Sequence, residues 1–291
     1  MSNALDSTAA HEEGRPGLLT ALRDRLRIEG ELKRFWNITL TLARTEFKIR
    51  YFGSVLGYLW SLMRPLMLFG VLYLVFTHVV RFGKQIEHYP LKLLIAIVLW
   101  SYFAEATGQS LQSLVQRDNL LRKVRFPAAA IPLSVALTSG FNLVLNLCVV
   151  VFFVAISGIG PTPSWLELLP LLVALFVITA SVSILLSVLY VPFRDMAPIW
   201  EVATQMLFWG TPIIYVIETA PESVRKLLMM NPLAVIIEQA RHAVVDPSAP
   251  SAAAASGGAA RLLIPFGLTA ALLAISLVLY RRAEPTIAER L

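Results

Sequence analysis

Long apolar runs, rather than alternating apolar and polar positions, set the pattern of this chain. Six of them stand out: Tyr58–Val80, Leu91–Leu111, Ile131–Ile156, Leu168–Val191, Ile199–Ile217 and Leu262–Tyr280. At 1.5 Å per residue, helices of these lengths can cross a hydrocarbon layer of ~30 Å. No stretch carries the period-two signature of a strand, and backbone immersed in lipid must satisfy its own polar groups. The predicted fold class is therefore all-α integral membrane, with six transmembrane helices.

The pattern ahead of the first run is different. Met1–Gly17 is polar and is expected to be disordered, and Leu18–Gly30 reads as a short helix bearing Arg23, Arg25 and Arg27. Residues 1–31 thus form a polar, partly disordered tail. From residue 32 to 52, Leu32, Trp36, Leu40, Ala43, Phe47 and Tyr51 recur at spacings of three and four. Lys33, Asn37, Thr41, Arg44 and Lys48 fall on another face. This is an amphipathic helix suited to the membrane interface, and no soluble core nearby would receive its apolar side. Residues 53–291 then make up the transmembrane domain.

Two connections have patterns of their own. Between the second and third runs, Leu114, Asn119, Leu120, Leu121 and Val124 predict a short helix before Phe126-Pro127, either a docking element or an ordinary basic loop. Between the fifth and sixth runs, Thr211–Val245 is too apolar for a solvated loop, and Pro212, Pro221 and Pro232 break its runs. Two short re-entrant or interfacial helices fit there. Pro247–Ala260, rich in Ala, Ser and Gly, reads as a flexible linker.

Composition agrees with a membrane protein. Of 291 residues, 57% are hydrophobic and 15% charged, and the mean hydropathy is +0.68. The net charge of +6 is no sign of nucleic-acid binding, because the basic residues sit at the ends of the runs. With the N-terminus inside, 18 of the 25 Lys and Arg residues fall on the cytosolic side. That bias places both termini in the cytosol. The N-terminus has no apolar core of a cleavable signal, and the single cysteine, Cys148, can form no intrachain disulfide.

No catalytic constellation is legible. The chain has no GxxxxGK[ST] loop, so ATP hydrolysis is not expected of it, and its four scattered histidines predict no metal site. Glu105, deep in the second run, is the conspicuous charge. It reads as a gate or proton site, or more simply as a carboxylate paired with a cation such as Arg64. Aromatics concentrate in the first and fifth runs. Among them Tyr58, Phe69, Tyr73, Phe208, Trp209 and Tyr215 could present flat surfaces to sugar rings along a path, with helix packing and an interfacial belt as the plain alternative.

Three stretches resemble the membrane subunits of ABC-2-type exporters, and more narrowly the permeases that export lipid-linked polysaccharides such as O-antigen, capsule, teichoic acid or galactan. The first is Glu46-Phe47-Lys48-Ile49-Arg50-Tyr51 with Gly53-Ser54-Val55-Leu56-Gly57-Tyr58-Leu59-Trp60 and Arg64-Pro65. Arg64 departs mildly from the family's usual residue before that proline. The second runs from Trp100-Ser101-Tyr102-Phe103 to Arg122-Lys123-Val124-Arg125-Phe126-Pro127, with Pro132. The third is Tyr190-Val191-Pro192-Phe193-Arg194-Asp195, then Trp209, Pro212-Ile213-Ile214-Tyr215 and Asn231-Pro232. Met1–Gly17 and the Ala/Ser/Gly tract lie outside the resemblance.

The resemblance implies a half-transporter in a bacterial inner (plasma) membrane. Two copies would form a homodimer over two copies of a separate ATP-binding subunit that holds ATP and Mg, with no cofactor on this chain. Coupling to the ATPase would fall to Arg117, Asp118, Asn119, Leu121, Arg122, Lys123, Arg125 and Phe126, with a smaller contact at Phe193, Arg194 and Asp195. The cargo would be a polyprenyl-pyrophosphate-linked glycan. Lys48, Arg50 and Arg64 stand where a charged lipid headgroup would meet the pore. Exporters of drugs or lipids, and carriers or channels without an ATPase, are the alternative readings.

Overall fold

The computed structural model describes residues 18–51, 57–123 and 126–290. The expected disorder of Met1–Gly17, residues 52–56 of the junction, the side chains of Tyr58 and Arg122, and Arg125 lie outside the described residues. Within them every regular element is helical. The helices are α1 (Leu18–Tyr51), α2 (Gly57–Leu74), α3 (Tyr89–Leu111), α4 (Ser113–Gln116), α5 (Asp118–Lys123), α6 (Ala130–Ile156), α7 (Leu168–Tyr190), α8 (Met196–Gly210), α9 (Glu222–Leu228), α10 (Pro232–Val244), α11 (Ala252–Ser256) and α12 (Leu263–Arg290).

Five stretches are long and apolar enough to cross a membrane: Leu59–Val79, Tyr89–Leu111, Ala130–Ile156, Pro163–Tyr190 and Ala259–Ile287. The run expected at Ile199–Ile217 is not one spanning helix. α8 has 15 residues and stops at Gly210, which makes it ~22 Å long. The hydropathy continues to Ile217, but Thr211 turns extended (φ −110°, ψ 140°) and the chain runs on as irregular backbone.

The bundle is organised around α3. Leu91–Trp100 is buried at every position, as expected of a helix that is apolar all round. It packs on α2, α6, α7, α8 and α10. Helices α2 and α12, by contrast, leave most of their apolar surface uncovered.

The interface helix is longer than its sequence pattern suggests. α1 continues through Gly30 without a break. Its packed seam is also rotated from the predicted one. Thr39 and Ala43 are fully buried and Phe35 partly so, while Leu32, Trp36 and Ile49 are exposed. Small side chains explain the seam, because they let α1 approach α6 closely enough for Thr138 Oγ1 to donate to the Ala43 carbonyl at 3.2 Å. Phe47 meets Phe141 edge-on at 5.3 Å just beyond.

Each end of the bundle has its own cluster. At one end Leu114, Ala128, Ile131, Val188, Val191, Tyr280 and Ile287 pack together with Phe35, Leu121 and Phe126. At the other, Ile217, Met229, Ala234, Val235, Ala252 and Ala255 pack with Leu228 and Leu262. The second cluster corrects the expectation of a flexible Pro247–Ala260 linker. Ser251 caps α11 by accepting from the Ala254 N–H, Gln239 Oε1 accepts from the Ala252 N–H at 2.9 Å, and Gly257 (φ +87°) ends the helix in the left-handed region. Alanines gain from this order because their small side chains fit flush against α10, burying Ala252 and Ala255.

Candidate transport cavity and its charged clamps

A cavity of about 1300 Å³ lies between α2, α3, α6 and α8, with Arg50 of α1 at its edge. Its wall mixes three chemistries. Trp60, Trp100, Trp200 and Phe208 supply aromatic faces. Gln109, Gln112, Asn142, Asn146 and Gln205 supply amides. Arg50, Arg64, Glu105 and Glu201 supply charge. Buried polar atoms along this wall, Ser139 Oγ and Trp200 Nε1 among them, have no hydrogen-bond partner among the described residues.

The aromatic seam joins α3 to α8. Trp100 meets Phe208 at 5.6 Å and Phe103 meets Trp200 at 6.2 Å, both edge-on. Phe208 in turn meets Trp209 at 5.5 Å, and Trp209 is exposed. Of the six aromatics expected along a path, Phe208 lines the cavity. Phe69 and Tyr73 stack on each other at 5.8 Å and pack against the core instead. Tyr215 is half-buried in the irregular segment. The seam therefore enlists Trp100 and Trp200 rather than the aromatics midway along α2.

Glu105 is paired, but with Arg50 rather than Arg64. Arg50 Nη1 donates to Glu105 Oε1 at 3.1 Å and Arg50 Nη2 to Gln109 Oε1 at 2.6 Å. Gln109 Nε2 and Asn142 Nδ2 each donate to the same Glu105 oxygen at 3.1 Å. Arg64 lies exposed on the cavity wall, whereas Lys48 is exposed away from it.

One turn before Arg50 on the same helix, Glu46 forms an ion pair with Arg117. Ser134 Oγ lies 3.4 Å from both partners. Burial of Glu46 pushes its carboxyl above the ordinary glutamate range, and the attraction of Arg117 and Arg50 offsets this only in part. The pair ties α1 to the chain between α4 and α5.

Most of the residues proposed to dock an ATPase lie close to that tie. Asn119 and Lys123 are exposed, Asp118 Oδ1 accepts from the Asn119 N–H, and Leu121 and Phe126 are half-buried in the terminal cluster. At the α7–α8 turn, Phe193, Arg194 and Asp195 are all exposed, with the Arg194 guanidinium 5.0 Å from the Tyr190 ring centre.

At the opposite end, the irregular backbone after α8 is held by charges that hydropathy cannot reveal. Arg241, 1% exposed, donates to the carbonyls of Ile213 (2.7 Å), Tyr215 (3.2 Å) and Lys92 (3.0 Å), and pairs with Glu238 at 3.3 Å. Tyr89 OH donates to the Ile214 carbonyl at 2.8 Å. Three successive carbonyls outside any helix are thereby satisfied from side chains, the condition under which such backbone survives burial. Tyr89 is fixed in turn by Gly83, where a Cβ would stand 2.5 Å from the tyrosine ring. Lys92 Nζ pairs with Asp246 at 2.8 Å, and Asn231 Nδ2 donates to Thr211 Oγ1 at 2.9 Å. A sequence-level signal existed for two of these: Lys92 and Arg241 are basic residues inside otherwise apolar helical stretches.

Comparison with known proteins agrees with this architecture. The ABC-2 type transporter family matches over residues 38–245. An O-antigen export system permease protein RfbA from Klebsiella pneumoniae is 30% identical over 213 residues, 73% of this chain and 82% of the relative. One of the same name from Myxococcus xanthus is 32% identical over 212 residues, 72% of this chain and 80% of the relative. The match spans α1 from Ile38 through the clamp at Arg241, so this chain is a multi-pass membrane protein of the ABC-2 type transporter family.

Proposed function

We propose that this chain is the membrane-spanning subunit of an ATP-driven exporter of a polysaccharide carried on a polyprenyl pyrophosphate. The cavity wall carries this reading. Flat aromatic faces, amides and arginines on one surface suit a ligand with apolar sugar faces, many hydroxyls and an anionic headgroup. The relatives named as O-antigen export permeases point to the same class of cargo. A drug or simple-lipid exporter would favour an apolar cavity, and the charges at Arg50, Arg64 and Glu105 argue against one. An ATPase-independent carrier has no feature in its favour in an ABC-2 family chain.

In this proposal the path crosses the plasma membrane six times. The α7 terminus packs in the cluster with Phe35 and Tyr280, whereas Ile217 and Leu262 pack at the other end. The chain between Val191 and Ile217 therefore makes one crossing, as short α8 plus the clamped irregular segment. The α1 end is cytosolic by its basic residues, and both termini lie there. α9 and α10 form the outer re-entrant pair, and residues 53–291 form the transmembrane domain. α2 and α8 flank the cavity and leave Leu59, Val71, Ile199, Val202 and Met206 exposed. A second copy covers these faces in the homodimer.

The separate ATP-binding subunit, carrying ATP and Mg, docks on the exposed residues of α5 and the α7–α8 turn. Lys48, Arg50 and Arg64 meet the headgroup. Reversal of Arg122, Lys123 and Arg125 to glutamate tests the docking. The expected result is loss of co-purification with the ATPase and of surface glycan while the permease still reaches the membrane. Undiminished co-purification would overturn the docking site.

A further inference from the structure

Glu105 is the charged group that transport itself leaves unexplained. Its Oε1 accepts from Arg50, Gln109 and Asn142, all at 3.1 Å. The second Arg50 nitrogen meets Gln109 Oε1 at 2.6 Å. The guanidinium fork thus faces two oxygens from α3, one of them anionic, which is the arrangement that two oxygens of a phosphate group would supply. The pair is reachable from the cavity, with side-chain exposures of 32% for Arg50 and 26% for Glu105. Arg64 lines the same cavity and makes no hydrogen bond or ion pair with the described residues.

We infer that Glu105 is an internal stand-in for the cargo's anion. It occupies Arg50 while the transporter is empty and yields that arginine to a phosphate-class headgroup, which takes Arg50 and Arg64 together. This rests on the headgroup reading given above. Two features make the exchange workable. A phosphate group carries more charge and more acceptor oxygens than one carboxylate, so it outcompetes Glu105 only by engaging both arginines. Once displaced, Glu105 keeps the amide donors of Gln109 and Asn142, so its charge is not stranded. The exchange also selects cargo. A neutral lipid offers Arg50 nothing in place of Glu105, and after the headgroup leaves, the carboxylate closes the site again.

The test uses the permease with its ATPase partner in phosphatidylcholine nanodiscs. Polyprenyl pyrophosphate, inorganic pyrophosphate and phosphatidylglycerol are titrated against wild type, Glu105→Gln, Glu105→Ala, Arg50→Gln and Arg64→Gln. Removing the competing charge of a partly exposed pair should tighten pyrophosphate binding roughly 3- to 10-fold in both Glu105 variants and slow export. Arg50→Gln added to Glu105→Gln should abolish the gain. A gain with polyprenyl pyrophosphate but not inorganic pyrophosphate supports a lipid-borne anion, and an equal gain with both supports a site for the phosphate group alone. Unchanged or weaker binding in the Glu105 variants, with Arg50→Gln still weakening it, overturns the stand-in and spares the headgroup reading. Wild-type binding in both arginine variants overturns the headgroup reading and the stand-in with it.

Discussion

Replacing Arg241 by methionine is the sharpest test of how the irregular backbone after α8 is held. The guanidinium satisfies the Ile213 and Tyr215 carbonyls, adds a bond to the Lys92 carbonyl, and neutralises Glu238. Both charged side chains are 2% exposed. Methionine fills much of the same volume but strands a carboxylate and two carbonyls. Breaking a buried ion pair costs ~3–5 kcal/mol, and a buried acceptor left unmade ~1–3 kcal/mol, with relaxation and water recovering part of the sum. A loss of ~3–5 kcal/mol is therefore expected, read as a large drop in thermal midpoint by tryptophan fluorescence in micelles. Arg241→Lys should lose ~1–3 kcal/mol, since an ammonium cannot serve the separated carbonyls as the planar fork does. Adding Glu238→Gln to Arg241→Met should restore part of the loss by removing the stranded charge. Unfolding within ~0.5 kcal/mol of wild type for Arg241→Met, or no recovery in the double variant, would refute the clamp.

Two further outcomes follow from the other charged pairs. Glu46→Gln should leave stability nearly unchanged, because burial already disfavours the carboxylate. It should lower export per ATP hydrolysed in the reconstituted complex, and an export-to-hydrolysis ratio equal to wild type would show that the Arg117 tie transmits nothing. At Asp246, burial opposes ionisation, but the hydrogen bonds from Lys92 and Ser248 outweigh it and hold the carboxyl at about 2, below its ordinary 3.8. Its folded pKa is depressed, so its ~2 kcal/mol of stability is present above pH ~4 and lost as pH falls toward 2. Asp246→Asn should flatten the acid limb of the stability profile over that window, and an unchanged limb would contradict the Lys92 pairing.

Much of the helical framework was readable because lipid leaves the backbone few choices. Long apolar runs gave α3, α6 and α7 to within a few residues, and the starts of α2 and α12, whose ends lie at Leu74 and Arg290 rather than at Val80 and Tyr280. The failures have physical causes of their own. Hydropathy continues smoothly through Trp209 to Ile217, yet the helix ends at Gly210 because Arg241 and Tyr89 supply donors that make irregular backbone affordable. Those donors lie up to 125 residues away in the chain, beyond any local pattern. The Ala/Ser/Gly tract reads as a linker by composition, but Gln239 and the Ser251 cap order it. On α1 the amphipathic period is correct, while the choice of packed seam depends on Thr39 and Ala43 being small enough to meet α6. Glu105 is conspicuous as a membrane charge, but its partner is not legible, because Arg50 and Arg64 both line the cavity it faces. The aromatic seam escaped for a similar reason. Trp100 belongs to α3, and only packing brings it to Phe208 on α8.

With an ATPase partner, this chain is proposed to move a lipid-linked glycan across the membrane. The direct measurement reconstitutes the purified complex in vesicles carrying a labelled polyprenyl-pyrophosphate glycan and follows the label's change of leaflet after ATP is added. The expected result is ATP-dependent transfer from the leaflet on the ATPase side, reduced at least tenfold by Arg50→Glu with Arg64→Glu. Transfer that proceeds without ATP, or equally well in the double variant, would contradict it.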